Sequence, residues 1–390
     1  MHRTSTLRLG ALAASTALVL AACGGSEDAS TAGGGEDAAA VNEPIVATFD
    51  GGLWILDGET LEVAHEIEAD GFNRINPAGD DDHVLVSTAD GFQVLDATGG
   101  ELTDVVFPAE LPGHVVRHAD KAVLFADGTG EVTTFDPHDL GDGMPETESF
   151  SAAEAHHGVA IELTNGERLI TLGNEDERVG AYVVDADGEE VARSEECPGV
   201  HGEATAADEV VVVGCQDGLL MYKDGEFTKV DSPDGYGRIG NQAGSESSSV
   251  VLGDYKVDED AELERPTRVT LTDTATGDLQ LVDLPASYTF RSLGRGEDGE
   301  ALVLGTDGAL HVIDPETGEI ERSIEVVDEW TEPLDWQQPR PALFVREGVA
   351  YVSDPAGQAI HAVDLASGEV TASAELDGEP NELSGVVHAH

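Results

Sequence analysis

The chain has 390 residues, with 79 Asp plus Glu against 19 Lys plus Arg and a formal net charge of −60. So acidic a surface repels nucleic acid and anionic lipid head groups, and neither is expected as a partner. The plain account of the charge is a solvated acidic coat, and the length suits one closed all-β domain behind an N-terminal address.

Arg3 and Arg8 form a basic start, followed by the apolar stretch "LGALAASTALVLAA", too short to read as a membrane span. The stretch ends in "LAAC", which is similar to the lipobox of bacterial lipoproteins. That likeness implies a signal peptide over 1–22, cleavage before Cys23, lipidation of its thiol and export. The chain would then be extracytoplasmic and held at the cell membrane through the lipid alone. Residues 23–43, rich in Gly, Ala, Ser and acid, read as the lipidated cysteine and a flexible tether. The domain is expected over 44–390.

Within that domain the sequence repeats itself. "TFDGGLWILDGETLEV" (48–63), "STADGFQVLDATGGEL" (87–102), "FADGTGEVTTFDPHDL" (125–140) and "GCQDGLLMYKDGEF" (214–227) share one pattern with "GTDGALHVIDPETGEI" (305–320) and "SDPAGQAIHAVDLASGEV" (353–370). Each is a strand, a glycine-containing hairpin turn, an alternating strand ending near Asp, a second turn and a further strand. Two divergent copies fit between, at 173–191 and 253–279. Eight copies averaging about 43 residues fit the four-stranded blades of a β-propeller, because each sheet can bury its faces only against its neighbours. The expectation is an all-β, closed propeller of eight blades, with seven as the alternative should a divergent copy not be a blade. The terminal "ELSGVVHAH" lacks a partner of its own, and is expected to complete the first blade. A monomer is expected.

The innermost strand of each blade lines the central channel. Candidate inner strands are the segments ahead of each hairpin, among them "GHVVRHA" (113–119), "HGVAIEL" (157–163) and "HGEATAA" (201–207). His114, His157 and His201 therefore open three consecutive inner strands at one mouth of the channel, with His156 beside them. Neutral imidazoles converging in this way suit zinc, and Glu203 and the hairpin from Asn174 to Arg178 supply acidic candidates near the same face. The competing account is that these histidines are structural. Because imidazole must be neutral to ligate, metal is expected to leave as pH falls through about 6. His311 and His361 share one register of equivalent strands, which points to blade packing. His65, His83 and His138 read as exposed, while His118, His388 and His390 fall toward the far ends of inner strands, where a weaker second site is conceivable.

Besides Cys23 there are two cysteines, Cys197 and Cys215. In an oxidising compartment they read as a disulfide, worth about 3 kcal/mol by loop entropy and bracing the loop that carries His201. A Cys–Cys–His metal site is the rival.

"AHHGVAIEL", "GERLITLGNEDERVGAYVVDADGEEV", "EECPGVHGEA", "VVGCQDGLL" and "VLFADGTGEVTTFD" together resemble the AztD-type periplasmic zinc metallochaperones. The likeness runs through most of 45–390 and is densest between 110 and 220. It implies a zinc-binding propeller that passes Zn2+ to the solute-binding protein of an ABC zinc importer, and it implies no catalysis. The metal role carries over to His114, His157 and His201, and to His156. Many members have a histidine- and aspartate-rich segment near the N-terminus, whereas this tether holds no histidine. The other readings are a metal-free propeller serving as an interaction platform, and a propeller hydrolase or oxidoreductase. Three tryptophans and no serine–histidine–aspartate motif in a strained elbow give the enzyme reading little to stand on.

Overall fold

The computed structural model describes residues 40–387. The signal peptide, Cys23, most of the tether, His388 and His390 lie outside the described residues. Eight four-stranded antiparallel sheets follow one another along the chain, so all eight repeats are blades, including the divergent copies at 173–191 and 253–279. The first strands of neighbouring sheets approach one another and form the inner ring. No helix among the described residues is long and apolar enough to cross a membrane.

The strand order within a blade explains its composition. The two middle strands are packed on both faces by neighbouring blades, so they read as continuous apolar runs. In the fifth blade, Val210–Cys215 is buried throughout and Gly218–Lys223 at all but its last residue. Outer strands meet solvent and alternate, as in Val63–Glu68 of the first blade. The cores lie between blades: Val46, Leu53 and Ile55 of the first blade pack with Val84 and Val86 of the second.

The first blade takes its inner strand from the other end of the chain. Leu383–Gly385 pairs with the start of Ile45–Phe49, Ile45 opposite Gly385 and Ala47 opposite Leu383. Arg346, on the inner strand of the eighth blade, ties both ends together by donating to the Val386 carbonyl at 2.9 Å and the Glu43 carbonyl at 2.8 Å. This is the closure expected from the unpartnered terminal segment.

His311 and His361 fill one structural role. Each sits on the third strand of its blade with Nδ1 at 2.8 Å from the serine directly opposite on the outer strand, Ser323 and Ser373. His83 corrects the reading of it as exposed. It is buried, with Nδ1 2.5 Å from Asp80 Oδ2, a pairing that the acidic run before it hid as apparent surface.

Candidate metal centre

Three inner strands bring the candidate histidines together. His114 lies on Pro112–His118 of the third blade, and His157 in the loop entering Ala160–Glu162 of the fourth. His201 opens His201–Ala206 of the fifth. The pairing register shifts between Pro112 and Val115, and again between His201 and Glu203. A bulge of this kind re-aims a side chain at the end of a strand. At the second one Gly202 holds φ +68, and a Cβ there would lie 2.6 Å from Gln242 Oε1. No other residue fits that corner without strain.

The ring centroids of His114, His157 and His201 are 4.9, 5.6 and 5.1 Å apart, and one ligand atom from each lies within 4.8 Å of the others. Their hydrogen bonds fix which nitrogen is free. His114 Nδ1 is 2.8 Å from the Gly158 carbonyl and His201 Nδ1 2.5 Å from the Gly240 carbonyl. A carbonyl only accepts, so both Nδ1 atoms carry the proton. His157 Nδ1 stands 2.5 Å from Asp127 Oδ2 and donates to that carboxylate. In the neutral rings every Nε2 is then a lone pair. Those of His157 and His201 face each other at 3.2 Å, close to the ~3.3 Å edge of a tetrahedron with Zn–N bonds near 2.05 Å. Backbone or carboxylate partners behind a ligating imidazole are the usual means of fixing its tautomer and direction.

Electrostatics keep two of the rings unprotonated. Burial pushes His114 down to about 3, with His201 and His157 adding to it and Asp127 opposing. Burial likewise pushes His201 down to about 3, against the Gly240 hydrogen bond and with help from His157, Arg238 and Arg178.

His156, read from sequence as a possible fourth ligand, does not join them. It is buried, with Nδ1 at 2.9 Å from the Glu154 carbonyl and Nε2 at 2.9 Å from Thr171 Oγ1. Both nitrogens are committed, and its ring edge packs on Phe125. Neighbours along an extended segment point to opposite sides, so His156 anchors the loop whose next residue faces the channel. Glu203 lines the channel but stays outside the cluster; burial pushes its carboxyl up to about 7, with Arg117 opposing. Asn174 caps its own hairpin, accepting from the Asp176 and Glu177 amides at 2.8 and 2.9 Å.

The acid that does reach the site is Asp127, which sequence reasoning passed over as a turn residue of the third blade's hairpin. Its approach depends on Gly113, where a Cβ would stand 2.1 Å from Asp127 Oδ1. The signal was present in the repeat. That hairpin leaves the blade on the face where the next inner strand begins. Cys197 and Cys215 form a disulfide with a Cα–Cα distance of 4.9 Å, which removes the Cys–Cys–His alternative. The bridge ties the loop ahead of His201 to the second strand of the same blade. His118, by contrast, is taken by Glu209 at 2.7 Å. Among the described residues, His114, His157 and His201 are the only such trio.

No family model matches the chain. A curated relative, the zinc chaperone AztD of Citrobacter koseri, is 27% identical over 310 residues, spanning 75% of this chain and 71% of the relative. The solved structure of apo AztD from Citrobacter koseri superposes with a TM-score of 0.75 at 23% identity, covering 88% of this chain and 96% of that one. A more distant likeness, to the dihydro-heme d1 dehydrogenase NirN in complex with DHE, has a TM-score of 0.58 at 12% identity over 87% of this chain and 74% of that one. At such identities these structures speak for the fold alone. The resemblance to AztD-type proteins read from the sequence is thus borne out, in sequence over three-quarters of the chain and in fold over most of it.

Proposed function

We propose that the chain is an extracytoplasmic zinc metallochaperone. His114, His157 and His201 hold Zn2+ at the channel mouth, and the protein delivers it to the solute-binding protein of an ABC zinc importer. The observation that carries this reading is the pair of facing Nε2 lone pairs on His157 and His201. Two acceptors at 3.2 Å repel unless a cation sits between them, and the third histidine supplies a further nitrogen to the same point. Three protein nitrogens leave the fourth position of a tetrahedral ion open, as a site that must release its metal requires. The similarity to a zinc chaperone supports the same reading.

The disulfide fits an oxidising compartment, and the "LAAC" segment supports a lipid anchor on Cys23 that holds the protein beside its transporter. Exchange of Cys23 for serine should release the protein from membranes without changing its metal content. The central experiment is metal analysis and calorimetry of the purified chain after dialysis. One tightly held zinc, lost in His157→Ala and His201→Ala but kept in His311→Ala, is the expected result. A dialysed chain without zinc would leave the metal-free interaction platform as the better account. Delivery is tested by mixing the zinc-loaded chain with the apo solute-binding protein in the presence of a chelator too weak to strip either.

A further inference from the structure

Arg238 and Lys256 face each other in an isolated antiparallel bridge, exchanging backbone hydrogen bonds at 2.8 and 3.0 Å. Residues directly opposite in such a bridge project to one side with Cβ atoms about 4.5–5.5 Å apart, where like charges repel. Both side chains line the same cavity of about 550 Å³ as His114, His157 and His201. In a chain of net charge −60, two cations set side by side without an acid call for a reason.

Neither head group is matched within the protein. Among the described residues no carboxylate lies within ion-pair distance of either. Arg238 gives one N–H to the Gly199 carbonyl at 3.2 Å. Glu332 feels the charge of Lys256, but its carboxylate is bonded to Arg340 at 2.9 Å. A third cation of the cavity, Arg74, reaches Glu382 only at 3.6 Å, and that carboxylate is shared with Arg291. A divalent ion on the histidines would add two further positive charges, against Asp127 as the one acid bonded to the cluster. Phe290, Leu293 and Trp336 give the cavity an apolar wall. Its volume is that of a small-molecule pocket, and most of its lining residues are polar.

We propose that Arg238 and Lys256 bind a small organic carboxylate in this cavity, and that the carboxylate and the metal bind cooperatively. The apolar wall takes the organic body and the cation pair takes a carboxylate. An anionic oxygen is also a fitting fourth ligand for zinc held by three imidazoles. The cooperative part rests on the metal reading above, whereas the anion site rests on the cation pair.

Succinate is a suitable probe, titrated at constant ionic strength into the purified full chain, both apo and loaded with cobalt. Calorimetry follows both forms, and the cobalt d–d bands report the metal. Saturable one-to-one binding is expected, several-fold tighter in the loaded form, and by reciprocity succinate should tighten metal binding by the same factor. Arg238→Gln and Lys256→Gln should each weaken succinate at least tenfold while keeping full cobalt stoichiometry. Arg193→Gln, which removes one charge from an outer strand, should change nothing. No saturable binding to either form, or an equal loss in Arg193→Gln, overturns the proposal. If the chain takes no cobalt yet binds succinate through Arg238 and Lys256, the metal reading fails and the carboxylate site stands without cooperativity. If it takes cobalt and ignores succinate, the carboxylate site fails and the metal reading stands.

Discussion

His157 is held from behind by Asp127. The imidazole Nδ1 lies 2.5 Å from a carboxylate thirty residues earlier in the chain, across the boundary between two blades. The contact fixes the ring so that Nε2 turns toward His201. Asp127→Ala should therefore lower zinc affinity by about 10- to 100-fold without removing a ligand. Asp127→Asn, which can still accept from Nδ1, should lose less. Competition against a chelator of known affinity measures both. Equal affinities for the wild type and Asp127→Ala would show that the ring is oriented by its loop alone.

Two adjacent histidines should behave in opposite ways. His157 is exposed, its side chain meeting only Asp127, His201 and the ring of His114 through polar or ring contacts, so His157→Ala should abolish tight zinc binding and leave the melting temperature of the apo protein nearly unchanged. His156 is buried and bridges the Glu154 carbonyl and the buried Thr171 hydroxyl. Removing it takes one hydrogen bond from a buried hydroxyl and the packing from Phe125, so His156→Ala should lower the apo melting temperature. Thermal unfolding and zinc titration of the two variants separate the roles.

The ring was legible because its turns and alternations repeat, and repetition tells more than any one strand can. The terminal segment stood out because every other inner strand had a hairpin behind it. The same alignment placed His114, His157 and His201 at equivalent points of successive blades, so the cluster followed from the fold. Adjacent positions were harder. In "AHHG" nothing in the letters says which histidine faces the channel, since a one-residue change of phase exchanges the faces. Asp127 was hidden because Asp-Gly is what a tight hairpin asks for anyway, and His83 because "DDDH" has the composition of a solvated loop. The bulges at His114 and His201 have no signature stronger than a glycine nearby. Arg238 and Lys256 come together only through a bridge between irregular segments.

A buried ion pair ties the closing segment to the seventh blade. Glu382, just before the closing strand, is paired with Arg291, and both are almost fully buried. The Glu382 amide donates to Thr48 Oγ1 at 2.9 Å, and its carbonyl accepts from the Thr48 amide at 3.0 Å. Glu382→Ala strands the Arg291 guanidinium in the interior, which typically costs about 3–5 kcal/mol. Chemical denaturation should register this as a lower midpoint, and the loss should be larger than for an exposed acid such as Glu190. A midpoint equal to that of Glu190→Ala would mean that water replaces the carboxylate at no cost.

The disulfide should matter to the site as well as to the fold. Cys197 and Cys215 are both fully buried, and native, unreduced chain should show no reactive thiol in the domain. Replacing both by alanine should cost about 3 kcal/mol by the loop-entropy relation. Because the bridge anchors the segment leading to His201, the variant should also bind zinc more weakly, with the loss appearing at temperatures where the ring is still folded.

The pH response of the site should differ from the ordinary imidazole behaviour expected from sequence. Histidines in an unfolded chain take up protons near pH 6.5, whereas His114 and His201 in the folded protein do so only at about 3. Between those values the unfolded state binds more protons, so stability falls as pH falls. The contribution is fully present above 6.5 and is lost progressively down to about 3. Apo protein should accordingly denature more easily at pH 4.5 than at pH 7. Zinc binding should be less sensitive. Three ordinary imidazoles would surrender up to three protons per zinc, and the logarithm of affinity would climb with pH at a slope approaching three below pH 6. With His114 and His201 already neutral there, the slope between pH 5 and pH 6 should not exceed one, and zinc should stay bound at pH 5.5. Chelator competition corrected for the chelator's own protonation measures it. A slope near three would mean that the two rings are as accessible to protons as free histidine, and that the enclosure around the cluster opens in solution.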